Sequence, residues 1–250
     1  MEDVLQVSRQ EIETFLESTQ FSGYQSVPLP FDLRVPGTNK GAAVDFYLNG
    51  RVHGKSVLDV GTYYGLYPCE AMARGAVRAV GIEQDAERCA VARRIAELNG
   101  GRYEIRNASA EQLDGSEKFD IVLFLNVLHH VLDPIEAVTR VARLCSETML
   151  VEFCLPWDYS NLRFLKAEDG RVHGRTWAVV RAAAMRMACA GLPIMAVGDR
   201  EYHRTFYFSP QAFRNTFVIH HRLFESVSFA ASPSNMFRRV AVCKVRRPPA

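Results

Sequence analysis

The stretch Ser56-Val57-Leu58-Asp59-Val60-Gly61-Thr62-Tyr63-Tyr64-Gly65 sets an acid and two glycines at the end of a short apolar run. Read physically, it is a buried parallel strand ending in a tight loop that opens a helix. Glycine has no Cβ, so such a loop brings backbone N–H groups close to a ligand. Asp59 either orients the loop or reaches the ligand. A second β-rich run ends in Ile82-Glu83-Gln84, with Glu83 22 residues after Gly61. A carboxylate at that spacing can accept both hydroxyls of a ribose, the alternative being a solvated strand-end charge. Three further strand-like runs lead to Asn107 with Ala110-Glu111, to Leu125-Asn126 with His129-His130, and to Glu152 with Cys154. Imidazoles ordinarily titrate near neutrality, so His129 is the candidate general base, with packing or hydrogen bonding as its other reading. His130 is read as structural or as a pocket wall on the substrate side.

The elements that must position these residues alternate regularly. Strands are expected at Ser56–Val60, Arg78–Glu83, Tyr103–Arg106, Phe119–Asn126 and Thr148–Phe153. Helices are expected from Gly65 to about Arg74, over 85–99, over 134–144 behind the N-cap Asp133, and as a short turn at 109–113. Strand–helix alternation with short connections implies an α/β fold with a doubly wound, mostly parallel sheet. Ligands of such sheets bind beyond the carboxyl ends of the strands, where the residues above collect. In front lies an amphipathic helix capped by Ser8, then an aromatic-rich extended segment (19–41), too apolar for a solvated linker, and a helix from Gly41 to Asn49. Residues 155–205 show no clear strand, and a helix rich in Ala, Val and Met spans Thr176–Ala190; it is either a lid or a dimer surface. A helix from Ser209 to His220 and two β-rich segments, Ser226–Ala230 and Arg238–Val245, close the chain as an antiparallel pair at the sheet edge.

The 250 residues suffice for one large core, and 48% are apolar. The formal charge of +2 supplies no global basic field. The acidic start and the lack of a long apolar run give an expectation of a cytoplasmic protein without membrane association. The six cysteines form no Cys-x-x-Cys pair and are read as reduced core residues, with no disulfide and no metal site expected.

The run Val57–Gly65 resembles motif I of class I S-adenosylmethionine-dependent methyltransferases. Val80-Gly81-Ile82-Glu83 is similar to their ribose-binding strand end. Phe119–Leu123 with Val127-Leu128-His129-His130-Val131-Leu132-Asp133-Pro134 resembles their fourth-strand motif. The resemblance implies a seven-stranded Rossmann-like sheet and S-adenosylmethionine as cofactor, with S-adenosylhomocysteine as product. A narrower likeness, in Gly54–Gly61, Glu111-Gln112-Leu113, Leu150-Val151-Glu152, Asp199-Arg200 and Phe206–Pro210, points to the branch of tRNA wobble-uridine carboxymethyltransferases. It implies cofactor contacts at Gly61, Glu83, Gln84, Ala110, Glu111 and Leu125. Asp59, Tyr63, Gly65 and Asn126 complete the candidate cofactor set. Where that branch has a tyrosine, this chain has His129, and residues 155–198 are longer than the corresponding connection. Most class I enzymes place glycine at the position of Tyr63. Tyr63 and Tyr64 therefore line the methionine end or the substrate pocket, or pack on the N-terminal segment.

The resulting expectation is methyl transfer to a small-molecule oxygen or nitrogen. His129 serves as base; Tyr64, His130, Trp157, Arg204 and Tyr207 serve on the acceptor side. A tRNA-modifying enzyme, suggested by Arg238-Arg239 and Lys244–Arg247, is the second reading, and a non-catalytic cofactor-binding module the third. The expected organisation is an N-terminal segment (1–49) packing on the core, a cofactor-binding core (50–154), an inserted helical cap (155–205) and a C-terminal completion of the sheet (206–250). A homodimer is compatible with it.

Overall fold

The computed structural model describes residues 7–156, 191–197 and 206–246, with Val180 and Ala184 as single positions between them. The expected helix Thr176–Ala190 lies outside the described residues apart from those two positions. Seven strands form one sheet in the order β3-β2-β1-β4-β5-β9-β8, and a separate two-stranded sheet pairs β6 with β7. In chain order they are β1 (Ser56–Val60), β2 (Arg78–Glu83), β3 (Glu104–Asn107), β4 (Phe119–Leu125), β5 (Cys145–Cys154), β6 (Met195–Val197), β7 (Phe206–Phe208), β8 (Phe224–Ala231) and β9 (Arg238–Val245). The helices are α1 (Arg9–Ser18), α2 (Gly41–Leu48), α3 (Leu66–Ala73), α4 (Ala86–Leu98), α5 (Pro134–Arg143) and α6 (Pro210–Arg214). The chain divides into two compact units, residues 1–123 with 143–147 and residues 124–142 with 148–250.

In the first unit β1 runs parallel to β2 (Asp59 opposite Gly81) and to β4 (Asp59 opposite Leu123), and β2 runs parallel to β3 (Glu83 opposite Asn107). Val57, Leu58, Val80, Val122 and Leu123 are buried, as suits strands covered on both faces. Asp120 stitches the amino ends of the strands. Its carboxylate accepts from Ser56 N at 2.8 Å, Ser56 Oγ at 2.7 Å and Ser146 Oγ at 3.2 Å. The Ser56 backbone bond, first among these, holds the Asp120 carboxyl below the usual carboxylate range. Caps follow the sequence: Ser8 accepts from Glu11 N, and Asp85 from Arg88 N. Gly81 has no room for a side chain, because a Cβ there would stand 2.7 Å from Thr62 Cγ2 and 2.8 Å from Ile105 Cδ1.

In the second unit β5 and β9 are antiparallel (Glu152 opposite Val240), as are β9 and β8. Phe153 of β5 stacks on Phe213 of α6 at 5.0 Å, and Phe229 of β8 meets both rings edge-on. Two expectations change. A strand does occur within 155–205: β6, antiparallel to β7 with Ala196 opposite Tyr207. Its three residues Met195-Ala196-Val197 are too few for an alternating pattern to show. The expected helix 209–220 begins on the Ser209 cap but is α-helical only to Arg214, widening to a π-type turn over Asn215–His220. Among the described residues no helix is long and apolar enough to cross a membrane.

Candidate functional site

The glycine loop joins β1 to α3. Gly61 and Gly65 both have φ 82°, and Tyr63 between them has φ 61°. The left-handed region costs a residue with a Cβ about 1–2 kcal/mol. Tyr63 is held there by five contacts. Its N–H donates to Glu83 Oε2 at 3.1 Å and its hydroxyl to Ser22 Oγ at 2.6 Å. Its ring lies 4.8 Å from that of Tyr24 and 4.5 Å from that of Tyr64. The Arg88 guanidinium sits 5.1 Å over the same ring.

The loop's amides do not face outward as expected from sequence. Gly61 N and Thr62 N both donate to Ile82 O (2.8 and 2.9 Å), and Gly65 N donates to Thr62 O at 3.1 Å. Tyr63 N is taken by Glu83, and Tyr64 N donates to Gln25 Oε1 at 3.1 Å. All five are spent within the chain. The loop therefore offers close approach and carbonyl oxygens, not a row of donors.

Glu83 ends β2 and is buried. Besides Tyr63 N it accepts from Asp85 N at 2.9 Å, and Arg88 Nη1 stands 3.9 Å from Oε1. A carboxylate has about four lone-pair sites. Two backbone donors orient the group and leave a site on each oxygen for a vicinal diol. Asp59, equally buried, sits one strand over. Burial pushes its carboxyl from 3.8 up to about 7; the Thr62 hydroxyl opposes this and the Glu83 charge adds to it. Its Oδ2 has no hydrogen-bond partner among the described residues.

The other expected cofactor residues of this unit follow β2 and β3. Asn107 Nδ2 donates to Glu83 O at 2.8 Å and to Gln84 O at 3.0 Å, fixing the backbone at the ends of both strands. Ala110 is buried and opens a single 3-10 turn, Ala110–Gln112, which carries a Ser109–Gln112 capping box; Glu111 beside it is exposed.

The second unit holds the remaining candidates. Leu125 is buried, and Asn126 takes φ 61°, a conformation asparagine tolerates better than most residues. His129 is buried and its ring lies 4.1 Å from that of the exposed His130. Tyr207 on β7 is buried. Trp157 and Arg204 lie outside the described residues.

Sequence reasoning placed the N-terminal segment across the main domain but missed which of its residues touch the loop. Phe21, Ser22, Tyr24 and Gln25 do. Ser22 N donates to the Tyr64 hydroxyl at 3.3 Å, and Phe21 meets the buried Tyr64 ring edge-on at 5.8 Å. Gly23 and Gly37 form a bridge, and a Cβ on Gly37 would lie 2.3 Å from Gln25 O. The signal available was a polar Gln25 between two glycines inside an apolar segment.

A strand–glycine-loop–helix followed by a buried acid at the end of the neighbouring strand defines a nucleoside-binding Rossmann-like site. Residues 39–215, more than half of the chain, match the family described as methyltransferase domain. The chain belongs to that family. It is 32% identical over 120 residues to a ubiquinone biosynthesis O-methyltransferase from Rhodopseudomonas palustris (strain TIE-1), covering 46% of this chain and 47% of that protein. The chain thus spans about half the length of the curated relatives it matches. Among solved structures, the N-terminal domain of EvdMO1, crystallised with SAH and D-fucose, has a TM-score of 0.60 at 16% identity, over 96% of this chain and 98% of that one. Magnesium protoporphyrin IX methyltransferase from Synechocystis PCC 6803, with SAH bound, has a TM-score of 0.51 at 15% identity, over 79% and 77%.

Proposed function

We propose that this protein transfers the methyl group of S-adenosylmethionine to an oxygen or nitrogen of a small molecule. The observation that carries the reading is Glu83: a buried carboxylate at the end of β2, oriented by two backbone amides and retaining acceptor capacity for a ribose diol. Family membership and the likeness to O-methyltransferases of ubiquinone biosynthesis support it.

The cofactor, when bound, supplies a methyl group activated on a sulfonium sulfur. The chain must then supply alignment and water exclusion. Glu83 holds the ribose; Gly61 and Gly65 allow the backbone to approach it; Asp59, Tyr63, Gln84, Ala110, Glu111, Leu125 and Asn126 complete the cofactor side. An acceptor hydroxyl gives up its proton to a ring nitrogen of His129. His130 and Tyr207 serve the acceptor side, as do Trp157 and Arg204 of the inserted segment. Tyr64 contributes through the loop it holds, since its hydroxyl is engaged by Ser22. The N-terminal segment, the core, the inserted cap and the C-terminal strands act as the four parts named from sequence.

Titration calorimetry with S-adenosylmethionine and S-adenosylhomocysteine tests the reading. Micromolar binding of both is expected; binding of neither would end it. Turnover is then sought on phenol and amine acceptors. Methylation of tRNA but of no small acceptor would transfer the assignment to the RNA-modifying alternative.

A further inference from the structure

Every amide of the glycine loop is already used, so a ligand's acceptor groups must find donors elsewhere. The buried polar side chains of the described residues up to 123 are Gln25, Ser26, Asp59, Thr62 and Glu83. Of these only Gln25 carries N–H donors. Its orientation is determined. Tyr64 N–H can only donate, so the amide oxygen of Gln25 must face it, at 3.1 Å. Oε1 is the side chain's single hydrogen-bonding contact among the described residues. Nε2, fixed in the same plane, keeps both donors unspent and is not sealed in among the buried orphan atoms.

The backbone around Gln25 is equally determined. Ser26 N donates to Thr38 O at 3.1 Å, and Thr38 N donates to Gly23 O at 2.9 Å, one on each side of it. Gly37 packs so tightly on the Gln25 carbonyl that no side chain fits there. A compact surface loop with closed ends is thus built to present one buried amide to the glycine loop.

We propose that Gln25 is a binding residue for the carboxylate at the amino-acid end of the cofactor, which it meets through Nε2. The proposal rests on the S-adenosylmethionine reading and adds a residue outside the motifs that suggested it. The ribose hydroxyls donate and are served by Glu83. The carboxylate only accepts and needs a donor held beside the loop, which is what Gln25 supplies.

The test compares two ligands by calorimetry: S-adenosylhomocysteine, which carries the carboxylate, and 5′-methylthioadenosine, which shares the ribose and adenine but lacks the amino-acid end. Gln25→Glu keeps an oxygen for Tyr64 N–H and replaces the donor with a negative oxygen. It should weaken S-adenosylhomocysteine by about tenfold or more and leave 5′-methylthioadenosine within about twofold. Gln25→Met, which removes the donor without adding a negative charge, should show the same ligand difference to a smaller extent. Thermal midpoints of both variants monitor folding. Equal loss for the two ligands would make Gln25 a brace for the loop and overturn the proposal, as would no loss for either. Failure of the unaltered protein to bind either ligand would instead remove the cofactor reading on which it rests.

Discussion

Glu83 Oε2 stands 3.1 Å from the amide nitrogen of Tyr63, a residue held at φ 61°. One carboxylate therefore supports a strained loop while keeping a lone-pair site on each oxygen. Glu83→Gln retains a single oxygen for two amides and should lose S-adenosylhomocysteine affinity by about 10–100-fold, as expected when a charged acceptor becomes neutral. Glu83→Ala should in addition lower stability by about 1–3 kcal/mol, because Tyr63 N–H and Asp85 N–H are stranded. Calorimetry and urea unfolding separate the two effects. Unchanged affinity in a folded Glu83→Gln protein would take Glu83 out of the site.

Asp59 gives the protein a pH dependence. Its folded-state pKa is raised from 3.8 to about 7, chiefly by burial. Between those values the folded protein holds a proton that the unfolded chain has released. Stability contributed by this group therefore falls as pH rises through the window and is lowest above about pH 7. Asp59→Asn cannot ionise. It should gain stability relative to the unaltered protein by about 2–4 kcal/mol at pH 8 and by close to nothing at pH 4. Urea midpoints across that range check this; a difference independent of pH would contradict it.

Tyr63 allows strain to be separated from contact. Tyr63→Gly removes the ring contacts and also the left-handed penalty, whereas Tyr63→Ala removes the contacts and keeps the penalty. Alanine should be the less stable of the two by about 1–2 kcal/mol. If the two variants unfold together, the loop has relaxed out of the left-handed region.

His129 is expected to matter for turnover alone. His129→Ala should reduce kcat by about 100-fold or more on an acceptor that must lose a proton, with S-adenosylhomocysteine affinity unchanged. On an acceptor that is already anionic at the assay pH the loss should shrink. A loss of the same size on both would assign His129 to packing.

The fold was legible wherever period and punctuation agreed. Phe119–Leu125 reads as a near-continuous apolar run and is a buried strand; Asp85 and Asn99-Gly100-Gly101 bracket α4 as their types suggest. The spacing of Glu83 from Gly61 is what proposed it for a ribose, and its place at the end of β2 was legible from the β-rich run that precedes it. Gln25 was not, because nothing local ties it to a loop 39 positions away. The three residues of β6 were too short to show a pattern. Tyr63 was visible as a departure, but its φ was not: the contacts that accompany the left-handed turn come from the N-terminal segment (Ser22, Tyr24) and from the end of β2 and the start of α4 (Glu83, Arg88), none of them adjacent in sequence.

The inward-turned amides of the glycine loop also bear on which other nucleotides could compete for the site. Loops of this shape hold the phosphates of dinucleotides and nucleoside triphosphates through several unspent N–H groups at once. Here Ile82, Glu83, Gln25 and Thr62 have claimed every one. A phosphorylated nucleotide would find no unspent amide of this loop for its phosphates. Competitors such as ATP or NAD, which share the adenosine of S-adenosylmethionine, should therefore compete with it poorly, because their phosphates gain no bond from this loop.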